Sequence, residues 1–175
     1  MNLSTATGPA AAAAAERAIG MLLARGQTIG TGESLTGGLV AAALTTVPGA
    51  SAVFRGGIVA YAADLKASLL GVPAELLDRV GTVHRDVAIA MASGAAARLG
   101  SAIGVATTGV AGPDPADGQP VGTVHIAVSV AVLGAQVPHV SHRALALAGD
   151  RETIRHDTVN HALNLLISTL LEDNE

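Results

Sequence analysis

The sequence predicts an α/β fold: a three-layer α/β/α sandwich around a mixed central sheet, in a single domain. Three observations predict it. Short apolar runs alternate with helical stretches along the chain. Two of those runs lead into small-residue loops, Thr31-Gly32-Glu33-Ser34-Leu35-Thr36-Gly37-Gly38 and Gly109-Val110-Ala111-Gly112-Pro113-Asp114. The length, 175 residues of which half are hydrophobic, fits one domain with a sizeable core. No internal repeat and no long linker divides the chain.

The elements follow in order. Residues 1–9 read as a disordered N-terminus, and the domain is expected over residues 10–172. Ala10 to Arg25 has helical composition, with Ile19, Leu22 and Leu23 on one stripe and Gly26 as a stop. Gln27–Thr31 reads as the first strand and Thr36–Leu44 as the second helix. Val47-Pro48-Gly49-Ala50 is a turn. Val53–Tyr61 is rich in strand-forming residues, and its Gly56-Gly57 pair points to a bulge or a close backbone approach. Ala62–Leu70 is a short helix stopped at Gly71, and Pro73 opens another over Ala74–Arg79. Asp86–Leu99 is a longer, Ala-rich helix. Ala102–Thr108 is continuously apolar, as a central strand covered on both faces would be. Val121–Val130 and Val137–Leu147 read as a hairpin at a sheet edge. Asp150 is the natural N-cap of a last helix that runs to about Leu171.

Composition narrows the function. One Phe, one Tyr and no Trp imply an aliphatic, Ala-rich core. The absence of cysteine excludes disulfides, thiolate metal sites and a Cys nucleophile. A net charge of −4 without a basic tract argues against a nucleic-acid partner. No run of 18 purely apolar residues occurs, so no spanning helix and no membrane partner are expected. Met1 to Ala15 lacks the basic start of a signal peptide, and the expected location is cytoplasmic. Ten residues are basic, and all but Lys66 are Arg. Arg stays charged in a protein, whereas a buried Lys can lose its proton and act as a base. Chance retention of one Lys is the competing explanation.

The first loop joins a strand to a helix, a geometry that exposes backbone N–H groups to an anion or a developing oxyanion. It also presents Ser34 as a nucleophile beside those donors. The alternative is that Ser34 or Thr36 is simply an N-cap, with Gly37 and Gly38 there for close packing. The loop is neither a Walker motif nor a dinucleotide fingerprint, because no Gly-Lys-Ser/Thr and no matching glycine spacing follow. Ligand crevices of open α/β sheets form at the carboxyl ends of strands. The two loops together would therefore make one crevice, with Thr107, Thr108 and Gly109 supplying a hydroxyl and backbone donors. Tyr61, the only Tyr, falls at another strand end, with Lys66 in the next helix. A Ser, a Tyr and the single Lys near strand ends fit a Ser–Lys amidase-like arrangement, in which Lys takes the Ser proton. Tyr61 as a rim residue is the alternative. Arg151 sits in the first turn of the last helix, where the dipole disfavours a cation, so it either grips an anion or snorkels on the surface. The six His residues do not cluster by spacing. His139 and His142 face opposite sides of a strand, and His156 and His161 are five apart on a helix. No metal site and no cofactor are expected.

Several motifs in order resemble the CinA C-terminal domain family: Glu33-Ser34-Leu35-Thr36-Gly37-Gly38; Gly57-Ile58-Val59-Ala60-Tyr61 with Lys66 and Leu70-Gly71-Val72; Thr108-Gly109-Val110-Ala111-Gly112-Pro113-Asp114; Pro120-Val121-Gly122-Thr123-Val124; and Gly149-Asp150-Arg151. The resemblance covers roughly residues 10 to 172. It implies a nicotinamide-nucleotide amidohydrolase that converts nicotinamide mononucleotide to nicotinate mononucleotide and ammonia, in pyridine-nucleotide recycling. It also implies a homo-oligomer. Carried over by position, Ser34 is the nucleophile, Lys66 the base and Tyr61 its helper. Glu33, Thr36, Gly37, Gly38, Thr108, Gly109, Gly112 and Arg151 then belong to the substrate site. Two departures stand out. Leu35 replaces the frequent Cys, and Pro115-Ala116-Asp117-Gly118-Gln119 replaces a loop that often has a Gly pair and a Lys, losing a cation and gaining an acid. That loop keeps a second hypothesis open, a catalytically silent ligand- or partner-binding module of the same fold. A nucleotide-binding protein acting only through helix N-termini is a third.

Overall fold

A computed structural model describes residues 8–131 and 137–172. Residues 1–7, most of the expected disordered N-terminus, lie outside the described residues. Among the described residues, six helices and five strands follow in the order α1 (Gly8–Arg25), β1 (Ile29–Glu33), α2 (Leu39–Thr45), β2 (Phe54–Val59), α3 (Ala63–Leu70), α4 (Ala74–Val80), α5 (Arg85–Leu99), β3 (Ile103–Gly109), β4 (Thr123–Val130), β5 (His139–Ala146) and α6 (Arg151–Glu172). A 3-10 turn occupies Ala50–Ala52. The strands form one sheet in the order β2-β1-β3-β4-β5. β1 runs parallel to both β2 and β3, while β4 is antiparallel to β3 and to β5. The sheet is therefore mixed, and the β4–β5 hairpin ends it, with β5 at the edge.

Helices cover both faces. α1, α2 and α6 pack on one side, over a core that includes Ile29, Val105, Ile126 and Val128. α3, α4 and α5 pack on the other, over a smaller core with Ala106 and Ala127. Alternation along each strand sets the split. On β1, Ile29, Thr31 and Glu33 face α2, whereas Gly30 and Gly32 face α5. β3 is the middle strand and is buried almost throughout, as its unbroken apolar run requires.

The aliphatic composition has a packing consequence. Without bulky side chains to hold the layers apart, α5 lies close against the sheet. A Cβ added to Gly104 on β3 would run into the carbonyl oxygen of Ala92 on α5. Two of the boundaries that depart from the sequence reading matter for the site. β1 continues two residues past Thr31 because it is paired on both sides, with Glu33 beside Val59 and Thr107. α2 starts at Leu39 rather than Thr36, because Gly37 (φ 60°) and Gly38 (φ 99°) form a left-handed turn that a helix cannot include. α1 begins at Gly8, two residues ahead of the expected start.

The close α5–sheet contact is testable. Gly104→Ala is expected to lower unfolding free energy by about 2 kcal/mol, since backbone rather than a flexible side chain blocks the new methyl. A urea unfolding midpoint equal to that of the unsubstituted protein would refute the contact.

Candidate active site

The site forms at the carboxyl ends of the three parallel strands. Beyond β1, the chain turns at Ser34 and enters α2. Beyond β2 lie Ala60 and Tyr61, followed by α3. Beyond β3 runs the Gly109–Asp114 loop. The two glycine-rich loops are neighbours because β1 pairs with β3, and the Ser34 amide donates to the Thr107 carbonyl at 2.9 Å. A cleft of about 380 Å³ opens there, lined by Ser34, Tyr61, Gly109, Gly112 and Arg151 among others.

Ser34 and Lys66 meet. Lys66 Nζ is 2.9 Å from Ser34 Oγ, and it donates to the carbonyls of Ala60 and Tyr61, also at 2.9 Å each. Lys66 is 1% exposed, the largest of the fully buried side chains. Burial disfavours its ammonium and brings its pKa down to about 8, against the opposing pull of the Asp117 carboxylate. The three contacts suit either protonation state. An ammonium donates three hydrogen bonds. A neutral amine donates two, to the carbonyls, and turns its lone pair to the Ser34 hydroxyl. Tyr61 therefore meets Lys66 through its carbonyl and not through its phenol.

Arg151 resolves the misplaced cation of the sequence. From the start of α6 it donates to the Gly112 carbonyl at 2.7 Å and to the Tyr61 hydroxyl at 2.6 Å. It thus bridges the β2 and β3 sides at the mouth of the cleft. The Asp150 side chain accepts from the Thr153 amide at 2.9 Å, as an N-cap does.

Glu33 corrects two expectations. Its carboxylate points away from the cleft, under α2, and is 1% exposed. It accepts from the amides of Gly38 (2.9 Å), Val40 (3.1 Å) and Ala41 (2.8 Å) and from the hydroxyls of Thr31 (3.2 Å) and Thr36 (2.7 Å). The α2 N-terminus is therefore occupied by the chain's own anion, so it is not open to a ligand. Neither Ser34 nor Thr36 caps α2; that work is done by Glu33. The Thr36 hydroxyl also bonds Thr107 Oγ1 at 2.7 Å, and its side chain is fully buried. Gly37 and Gly38 shape the turn rather than the cleft surface. Thr108, expected at the substrate, turns its hydroxyl to the Thr82 carbonyl at 2.7 Å. Beside Ser34, Leu35 lines the cleft, and its backbone amide has no acceptor among the described residues.

Three features escaped the sequence reading. Arg155, one turn beyond Arg151 on α6, donates to the carbonyls of Leu35 and Thr36 at 2.9 Å each, pinning the Ser34 turn from behind. Its i,i+4 spacing from Arg151 was the available signal. Asp117 and Gly118 (φ 51° and 70°) form a two-residue turn closed by paired Ala116–Gln119 backbone bonds, which the Asp-Gly dipeptide signals. Three of the six histidines also come together. Strand pairing places His125 and His142 diagonally on one face, stacked, with Nδ1 of the first 3.0 Å from Nε2 of the second, and the His84 ring lies tilted at 41° to that of His125 with centroids 6.3 Å apart. Burial lowers the pKa of both paired rings, helped by their neighbours' charges. Sequence spacing could not show this, because the residues lie on three different elements. Among the described residues no group of His, Asp or Glu has a geometry that could hold a metal ion, and no helix is long and apolar enough to cross a membrane.

Comparison with known proteins agrees with this architecture. The model of the family described as CinA C-terminal domain matches residues 11–170. A CinA-like protein of Frankia casuarinae is 49% identical over 148 residues, covering 85% of this chain and 33% of that protein. A putative competence-damage inducible protein of Desulforamulus reducens is 47% identical over 151 residues, covering 86% of this chain and 35% of that one. The chain thus spans about a third of the length of the curated relatives it matches. Among solved structures, the competence/damage inducible protein CihA from Agrobacterium tumefaciens superposes with a TM-score of 0.85 at 38% identity, over 92% of this chain and 96% of that chain. A CinA superfamily protein from Klebsiella pneumoniae does so at 0.86 and 29% identity, over 93% and 98%.

The capping role of Glu33 makes a prediction of its own. Glu33→Gln sets an amide N–H₂ against at least two N–H or O–H donors. The expected cost is about 2 kcal/mol of stability, read as a lower melting temperature. A melting temperature equal to that of the unsubstituted protein would show that the carboxylate does not hold the turn.

Proposed function

The chain belongs to the CinA C-terminal domain family, and on that footing we propose that it is a serine amidohydrolase that deamidates nicotinamide mononucleotide. The observation that carries the proposal is the contact of a buried lysine with a serine at a cleft, 2.9 Å from Nζ to Oγ. The substrate is what the resemblance of its motifs to the family implies.

The proposed chemistry proceeds in two halves. Neutral Lys66 accepts the Ser34 hydroxyl proton as Oγ attacks the carboxamide carbon. The Leu35 amide stands next to the nucleophile, where an oxyanion donor is needed. The Lys66 ammonium then returns its proton to the departing nitrogen, so ammonia leaves and an ester to Ser34 remains. Water, deprotonated by Lys66, attacks that ester and releases the acid and free Ser34. Each half moves one proton to Lys66 and one back, so the enzyme ends as it began. Arg151 and Tyr61 at the mouth are the polar groups a bound nucleotide would meet first.

Ammonia release from nicotinamide mononucleotide by the purified protein, beside Ser34→Ala, tests the reaction. Release that vanishes in the variant is the expected result. No release from folded protein would refute the substrate and favour a binding module. Lys66→Arg keeps a positive charge but removes the base, and is expected to lower kcat/KM by about 10³-fold or more. The pH dependence carries a definite sign. Lys66 works as a base only when neutral, so kcat/KM should rise with pH and level off above about 8. A rate that falls across that interval would exclude Lys66 as the base.

A further inference from the structure

The cleft has two walls that come from different parts of the chain. One is the loop after β3, through Pro113 and Ala116. The other is Thr82 and Val83, between α4 and α5. One side chain ties them together. Asp117, at the tip of its two-residue turn, accepts with Oδ2 from the Thr82 amide at 2.6 Å and from the Thr82 hydroxyl. Thr82 in turn receives the Thr108 hydroxyl on its carbonyl. The bonds therefore run from the loop, through Thr82, to β3, the strand whose Thr107 carbonyl holds the Ser34 amide.

The local backbone is built for this contact. Asp117 adopts φ 51°, a left-handed conformation that Asp tolerates better than most residues, and Gly118 follows at φ 70°. Opposite, Gly81 has φ 74°, and a Cβ there would stand 3.2 Å from the Asp117 side chain. The turn thus sets Asp117 at its tip, and Gly81 leaves room for the Asp117 side chain on the opposite wall.

We propose that Asp117 is a positioning residue that straps the loop after β3 to the Thr82 wall and so sets the width of the cleft above Ser34. The kinetic part of this inference rests on the serine amidohydrolase reading; the strap itself does not. A second effect follows from charge. The Asp117 carboxylate favours the Lys66 ammonium, opposing the burial that disfavours it. Removing the charge while keeping an acceptor therefore separates the strap from the electrostatics.

The experiment compares the full chain with Asp117→Ala and Asp117→Asn by three readouts: hydrogen exchange of the Thr82 amide, melting temperature, and steady-state ammonia release across pH. Labelling of Ser34 by an alkyl fluorophosphonate accompanies them. Asp117→Ala should speed Thr82 exchange by about tenfold or more. It should raise KM by about tenfold with kcat changed less than about threefold, at nearly unchanged melting temperature. Asp117→Asn should keep exchange and KM near the starting values. It should move the rise of kcat/KM, or of labelling rate, to lower pH, because Lys66 loses the charge that favours its protonated form. Thr82 exchange that is unchanged in Asp117→Ala overturns the strap. Faster exchange with KM and pH profile both unmoved overturns the positioning role and leaves a surface contact. A protein that neither releases ammonia nor takes the fluorophosphonate refutes the Ser34–Lys66 reading, and with it the kinetic role of Asp117. Thr82 exchange, which needs no substrate, still decides the strap.

Discussion

The carboxylate of Glu33 is the group on which the site depends. A sheet strand cannot run straight into a helix without leaving the first amides of that helix unsatisfied. Here the last residue of β1 turns its own side chain back beneath α2 and accepts three of those amides. The same carboxylate takes the hydroxyls of Thr31 and Thr36. Five donors converge on two oxygens in a dry environment, where an unmade bond costs far more than in water. The turn between Glu33 and Gly38 is consequently fixed, and the side chain that must point the other way is Ser34. Arg155 closes the outer side of the turn through the Leu35 and Thr36 carbonyls. The serine is presented to the cleft because its neighbours on both sides are committed elsewhere.

Lys66 reaches that serine by topology. β2 and β1 are adjacent and parallel, so their carboxyl ends open onto the same edge of the sheet, and α3 begins where β2 ends. The lysine enters from α3 and finds two carbonyls, Ala60 and Tyr61, at the spacing its nitrogen needs. Burial alone would drive the amine far from its usual range. The Asp117 carboxylate opposes that effect, and the balance leaves a pKa of about 8. Such a group is neutral often enough to take a proton near neutral pH and basic enough to want it.

Much of this was legible in the residues. Alternating strands and helices gave the layers, the unbroken apolar run of 102–108 marked the middle strand, and a lone Lys among nine Arg singled out Lys66 before any geometry was known. What was not legible has a common cause. The roles of Glu33, Thr108 and the histidines depend on which way a side chain turns across a pairing register, and that register is set between segments far apart in sequence. Glu33 and Ser34 are adjacent, so they point to opposite faces, and only one of them can line the cleft. Motif matching cannot separate the residue that acts from the neighbour that holds it in place, because both recur in the same string. Arg155 and Asp117 lay outside the matched motifs for the opposite reason. They act by gripping backbone, and backbone carries no signature of its own in the sequence.

The same distinction bears on how the 114–119 loop should be judged. As a string, it loses a cation and gains an acid, which counts against binding an anionic nucleotide. In the structure the added acid is not free in the cleft, because Asp117 spends an oxygen on Thr82. A cation is present at the mouth, Arg151, braced by Gly112 and Tyr61. A charge count along a loop therefore overstates the change. The acid in this loop fastens its wall to Thr82, and that wall stands over the same serine and lysine.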